Sequence, residues 1–266
     1  MRGLARYRRY GRRVLNRLRR EDSAQAPWQL TAALDAAARQ RLLAAGVPTE
    51  AIDPLDLRLV TGPAVDAWRA RGNDLYLAAD MPLSAGVLSD LLDDGCTDAL
   101  VCLGSDVTAA AYVFARGQAP TLFIGAQCHL PHAEIHCSDG ARIIVEGFAT
   151  ATWHVTLDAR NSGTIHASRD QLWASDVIIA TDDMHRIEDA GSGARINAFG
   201  GVIALGPHVW LGRDVMVFGG TDIGRDCVVG ARSLVRNRPF PAGCVIAGTP
   251  ARVIREGITW TREDTP

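Results

Sequence analysis

An aliphatic residue returns every six positions through the C-terminal half of this chain: Leu205, Leu211, Val217, Ile223, Val229 and Val235. Gly follows at 206, 212, 224 and 230. A small or β-branched residue recurs four positions after each aliphatic, at Val209, Val215, Thr221, Cys227 and Ser233. A period of six is neither the 3.6 of a helix nor the 2 of a strand. It suits a coil with three short flat faces, one hexad to a face. The aliphatic then points inward, the glycine lets the backbone turn, and the small residue fills the corner.

The pattern extends upstream. Leu103-Gly104-x-x-Val107, Ile124-Gly125-x-x-Cys128 and Val145-Glu146-x-x-Ala149 begin 21 residues apart, and Ala167-Ser168-x-x-Gln171 follows after 22. Each interval reads as three hexads plus a corner insertion, near RGQAP, CSDGA and ARNSG, all turn-rich. After Ala167 the hexads WASDVI and IATDDM stay in phase, which puts Asp183 in a small-residue slot. The phase breaks at His185 and resumes near Ile203, so residues 185–202 are expected to project as a loop. The expected fold is therefore mainly β: about seven stacked coils over residues 98–238, with residues 239–266 as a C-terminal cap. Residues 21–97 read as a mixed or helical N-terminal region covering the other end. Helices are expected over QLTAALDAAARQRLLAAGV, which ends at Gly46 before Pro48, and over PLSAGVLSDLLDDG.

The 266 residues are 47% hydrophobic and 22% charged, as in a folded soluble protein. All 28 basic residues are arginine, and nine of them lie in residues 1–20 without one acid. A basic arm thus joins an acidic body. The arm lacks an apolar h-region, so it is not read as a secretory signal, and no run of about 18 apolar residues suggests a membrane span. A solvated terminus is the simple reading of the arm. Peripheral contact with anionic lipid at the inner membrane face is the alternative, and nucleic acid is not expected as a partner. The six cysteines form no CxxC and fit free thiols in a reducing cytoplasm.

Three segments carry a family resemblance: TDDMHRI at 181–187; ARIN with GPHVWLGRDV at 194–197 and 206–215; and VVGARSLV with PFPAGCVIAGTPARVIRE at 228–235 and 239–256. With the hexads they resemble the hexapeptide-repeat acyltransferases, in particular those that O-acetylate sugars and surface polysaccharides. The resemblance implies a left-handed parallel β-helix and a homotrimer with active sites in the clefts between subunits. It also implies direct transfer of an acetyl group from acetyl-CoA to a saccharide hydroxyl, with no metal.

His185 matches the family's histidine. A neutral imidazole is the natural base at pH 7 for removing a hydroxyl proton. Asp183 is its nearest acid in sequence. A main-chain carbonyl or an acid of a neighbouring subunit is an equal candidate for orienting the ring. The resemblance places Arg252 and Arg255 near the donor's phosphates, which arginine holds through paired hydrogen bonds. It places Trp210, Arg213, Ala231 and Arg236 along the donor groove; Arg236 departs from the family, where Thr is common. The plain readings remain beside these: Trp210 covering a corner, Arg213 and Arg236 merely solvated, and Asn197 ordering the loop. His129, His132 and His136 have metal-like spacing, but within one coil they would fan onto different faces. Acylation of an amino sugar or small acceptor, a non-catalytic trimeric scaffold and a metal-dependent hydratase stand as alternatives.

Overall fold

The computed structural model describes residues 28–81, 95–109, 112–183 and 185–264. The arginine arm lies outside these residues, as does nearly all of PLSAGVLSDLLDDG. The described chain winds into a parallel β-helix of the left-handed kind, with about six turns where the spacing suggests about seven. Its strands form three sheets, one to a face. In chain order within a turn, face one holds Leu100–Leu103, Thr121–Ile124, Arg142–Val145, Thr164–Ala167, Val202–Leu205 and Thr221–Ile223. Face two holds strands such as Ala149–Ala151, Gln171–Trp173 and Val209–Leu211, and face three holds His132–Ser138, His154–Ala159, Val177–Ala180 and Met216–Phe218. A further turn begins with Pro239–Phe240 and Cys244–Gly248, then reverses into the antiparallel strand Ala251–Glu256 and leaves its third side unmade.

The hexad aliphatics stack in register. Leu103, Ile124, Val145, Ala167, Leu205 and Ile223 are successive partners on face one. Val113, Ile135, Leu157, Ile179, Val217 and Val235 form the equivalent column on face three. All are buried, and each Val, Leu or Ile among them stabilises the coil by roughly 1.5–3 kcal/mol relative to exposure. The small slots are buried too. Their polar occupants bond to the corner backbone, Thr221 Oγ1 to the Phe218 carbonyl and Ser233 Oγ to that of Gly230, both at 2.6 Å.

The hexad glycines have a different task from the one the spacing suggests. None of Gly104, Gly125, Gly206, Gly212, Gly224 or Gly230 has positive φ. The turn is made two residues later by a left-handed residue, among them Asp106, Gln127, Asp170, His208, Asp226, Asp176, Asp214 and Arg232. Asp is frequent there because a short polar side chain tolerates that conformation. Glycine is needed for closeness: a Cβ on Gly206 would stand 2.6 Å from the Arg225 nitrogen, and one on Gly212 2.8 Å from that of Ala231.

The N-terminal region also departs from expectation. Gln29–Ala33 is a strand, antiparallel to Leu57–Thr61, and the helix is only Ala36–Ala45. Asp35 sets that boundary by accepting the Ala38 N–H at 2.8 Å, and Gly46 ends the helix at φ 100°. Asp74–Ala78 pairs in parallel with Leu100–Leu103, so face one continues upstream of residue 98. The helix does not cap the solenoid's end. It lies on the flank of face one, where Ala38, Leu42, Val47 and Ile52 pack on Tyr76, Cys102, Phe123 and Ile144.

Candidate functional site

The loop that interrupts the hexads leaves face three after Val177–Ala180 and returns on face one at Val202–Leu205. It is built on its own hydrogen bonds. Asp189 N–H donates to Ala194 O and Ile196 N–H to Ile187 O, closing a short hairpin with a Glu188–Arg195 bridge. The Asp189 carboxylate caps the tip through the amides of Ser192 and Gly191. These bonds, the Ser192 amide foremost, hold its pKa below the usual carboxylate value.

Asn197 ties the hairpin to its root. Its Nδ2 donates to the His185 carbonyl at 2.7 Å and reaches Asp183 Oδ2 at 3.4 Å, while its Oδ1 accepts the Ile187 N–H at 2.9 Å. The His185 N–H donates to the Asp183 carbonyl at 2.8 Å. The backbone of His185 is thus fixed on both sides, whereas its ring is exposed and has no hydrogen-bond partner among the described residues.

Asp183 does not occupy the small slot expected of it. It is exposed, and the buried acid is Asp182, which accepts from Asn161 Nδ2 at 2.6 Å and from the Gly200 N–H at 3.3 Å. The phase is therefore already broken at Asp183, two residues before His185, because Asp182 anchors the loop's base. The contact between Asp183 and His185 runs through the backbone, not ring to carboxylate.

The remaining predicted residues divide between two places. Trp210 points outward from face two, in the column Leu172, Trp210, Val228, Val245, Arg255. Arg252 and Arg255 are three apart in sequence, which on a regular strand means opposite sides. A bulge corrects this: Arg252 pairs with Ala247, Val253 with Ile246 and Arg255 with Val245, leaving Ile254 as the extra residue. Both guanidiniums therefore project from the outer side, roughly 14 Å from Trp210 at three strand spacings. Arg213 and Ala231 are exposed on the corner joining faces two and three. Arg236 stands apart from them at the corner joining faces three and one, in the column that leads up to the His185 loop.

His185 leaves the corner between faces three and one, which in a three-sided coil lies opposite face two. A single chain therefore does not bring His185 to Trp210, Arg252 and Arg255. Among the described residues no hydrogen bond or ion pair links the two groups. The histidines of HLPHAEIH do part company: His129 is on face two, while His132 and His136 share a strand of face three. There Glu134 Oε1 lies 2.8 Å from His136 Nε2, which chiefly holds the Glu134 pKa low.

One feature of the site was not read from the sequence. After Glu256 the tail runs lengthwise along the corner between faces one and two and touches turn after turn. The Ile258 N–H donates to Gly243 O, Thr259 Oγ1 to Asp226 Oδ1 at 3.3 Å, and Trp260 Nε1 to His208 O at 2.9 Å. Arg262 reaches Asp170 Oδ1, Gln171 O and Thr150 Oγ1. The tail's only sequence signal is a tryptophan in a polar stretch.

No protein-family model matches the chain. Over 133 residues it is 33% identical to a polysialic acid O-acetyltransferase of Escherichia coli O1:K1 / APEC, covering 49% of this chain and 42% of that protein. Over 101 residues it is 38% identical to a polysialic acid O-acetyltransferase of Neisseria meningitidis, covering 38% and 46%. The chain spans about half the length of the curated relatives it matches. The crystal structure of a polysialic-acid-specific acetyltransferase aligns with 66% of this chain and 84% of its own at 23% identity, with a TM-score of 0.49.

Proposed function

We propose that this chain moves an acetyl group from acetyl-CoA to a hydroxyl of a saccharide or surface-polysaccharide precursor, with His185 as general base. The observation that carries the reading is the mounting of His185. Its backbone is held by Asn197 and Asp183, while its ring is exposed and has no hydrogen-bond partner among the described residues. A histidine kept for coil stability would bury or pair its ring. The acetyl group and the saccharide acceptor are drawn from the relatives, which are O-acetyltransferases by name.

In this reading the acceptor hydroxyl attacks the thioester carbonyl as its proton passes to the imidazole. The C–S bond then breaks, and the imidazolium returns the proton to the departing thiolate. The donor lies along face two, with Trp210, Arg213 and Ala231 beside it and the paired guanidiniums of Arg252 and Arg255 at its phosphates. Arg236, on the other corner, lies on the His185 side.

Because His185 lies opposite face two, a complete site takes His185 from one chain and face two from its neighbour. A closed homotrimer supplies that arrangement at every cleft. Exposed Ile187, Ile196, Phe199 and Val202 give the loop an apolar surface to lay against a neighbour, which favours association. We place the protein in the cytoplasm, where acetyl-CoA is made.

The test is a thiol-release assay with acetyl-CoA and a panel of saccharides. His185→Ala should lose about 10²–10⁴ in rate with unchanged melting. Co-expression of His185→Ala chains with Arg252→Ala/Arg255→Ala chains should recover part of the activity, since some clefts then hold both intact halves. Full activity of His185→Ala would refute the base. Absence of recovery, with both parents folded and assembled, would refute the shared site.

A further inference from the structure

Trp260 sits at the centre of the tail, and its ring is fixed from several directions. Its Nε1 donates to the His208 carbonyl at 2.9 Å, and its face stacks on the His208 ring at 4.0 Å and 15°. The Arg262 guanidinium lies 5.8 Å from its centroid. His208 is itself pinned in the left-handed corner: its Nδ1 is 2.9 Å from Asp226 Oδ1, and its Nε2 is 3.8 Å from Asp170 Oδ2. The His208 bond is the main reason the Asp226 pKa is held low. Against this anchored ring stands Trp210, centroid to centroid 5.9 Å and tilted by 52°, within the roughly 4.5–7 Å separation at which aromatic pairs attract. Trp210 is 38% exposed. Its flanking outward neighbours on face two, Leu172 and Val228, are aliphatic.

We infer that Trp260 is a positioning residue: the C-terminal tail fixes the angle at which the Trp210 indole stands over face two, and through it the bed on which the acyl donor lies. This rests on the donor role proposed for face two. Trp260 acts through Trp210, so its loss weakens donor binding more than turnover at saturating donor.

The experiment is a double-mutant cycle on the full chain, reading the donor KM, kcat, and the Kd of coenzyme A by calorimetry. Trp260→Ala should raise KM and Kd about three- to ten-fold, the span one aromatic contact carries, with kcat changed less than about two-fold. Trp260→Phe, which keeps a ring on His208, should recover most of the loss. On a Trp210→Ala background, Trp260→Ala should have no further effect, because coupled residues are not additive. A tail that served only stability would lower the melting temperature without this pattern. If Trp210→Ala weakens coenzyme A binding while Trp260→Ala does not, or the two effects add, the inference alone is overturned. If Trp210→Ala leaves coenzyme A binding unchanged, the donor reading of face two fails and the inference with it. Should Trp260→Ala not fold, Trp260→Leu replaces it, and equal coenzyme A binding by the Leu and Phe variants overturns the inference.

Discussion

Replacing Gly206 by Ala tests whether hexad glycines turn the chain or let turns approach. The new Cβ would stand 2.6 Å from the Arg225 nitrogen, 2.9 Å from the Gly224 carbonyl carbon and 3.1 Å from Arg225 Cα. All three are backbone atoms, so no side chain can swing aside. Forcing a methyl into such packing costs about 1–3 kcal/mol. Restricting the unfolded chain returns about 0.4–1 kcal/mol. The net loss is roughly 1–2 kcal/mol, or about 2–8 °C in melting temperature for a chain of this size. Gly230 is the internal control. Its Cβ would press on the Ala247 methyl alone, at 3.2 Å on the final turn, with the Ile246 carbonyl oxygen at 3.7 Å and Ser233 Oγ at 3.9 Å in ordinary contact. There the two terms nearly cancel, and Gly230→Ala should stay within about 0.5 kcal/mol of the parent. Urea unfolding of the three proteins, followed by far-UV circular dichroism, gives the comparison. Equal losses at both sites would mean that glycine is needed for its backbone freedom. No loss at Gly206 would mean that the turns separate without cost. Either result refutes the closeness argument.

Asn197→Ala removes the hydrogen bonds that tie the hairpin to the His185 backbone. Transfer should fall at least about ten-fold, the price of a misplaced catalytic group, with a melting change under about 1 kcal/mol because the loop is exposed; intact kcat would sink the positioning role. Arg252→Ala should raise the donor KM well beyond its effect on kcat, and the reverse split in steady-state kinetics would count against phosphate contact. Asp35→Ala should cost about 0.5–2 kcal/mol as the loss of a helix cap. Its carboxyl pKa lies below the ordinary 3.8, chiefly through the Ala38 amide and then Tyr76. That contribution is present above pH 3.8 and disappears as pH falls through the lower folded value. Parent and variant should therefore converge in stability at strongly acidic pH, and a constant gap in acid titrations would contradict the assignment.

The solenoid was legible because burial imposes one inward side chain per face, and that requirement writes itself into the sequence every six residues. The insertions RGQAP, CSDGA and ARNSG were legible for the same reason, as delays in the count. What escaped depends on contacts between distant residues. Asp182 and Asp183 are adjacent acids, and it is Asp182 that meets Asn161 and Gly200, residues far apart in sequence. The strand Gln29–Ala33 reads as helix by composition until Leu57–Thr61 pairs with it. Arg252 and Arg255 share a side only because one residue, Ile254, drops out of register. The proposed site is legible only as two segments, TDDMHRI and TPARVIR, and a linear text does not say that these segments lie on opposite sides of the coil.

A stack of turns is ordinarily a chain of nearest-neighbour links, so it can fray from an end one turn at a time. The tail from Ile258 to Arg262 alters that topology of coupling, since it bonds to Gly243, Asp226, His208, Asp170 and Thr150 in succession. Like a rail bolted across a row of planks, it must lift before the last turns can peel away, and its own lifting forfeits bonds several turns distant. The end of the solenoid with the unmade third side is thereby tied into the cooperative unit formed by its middle.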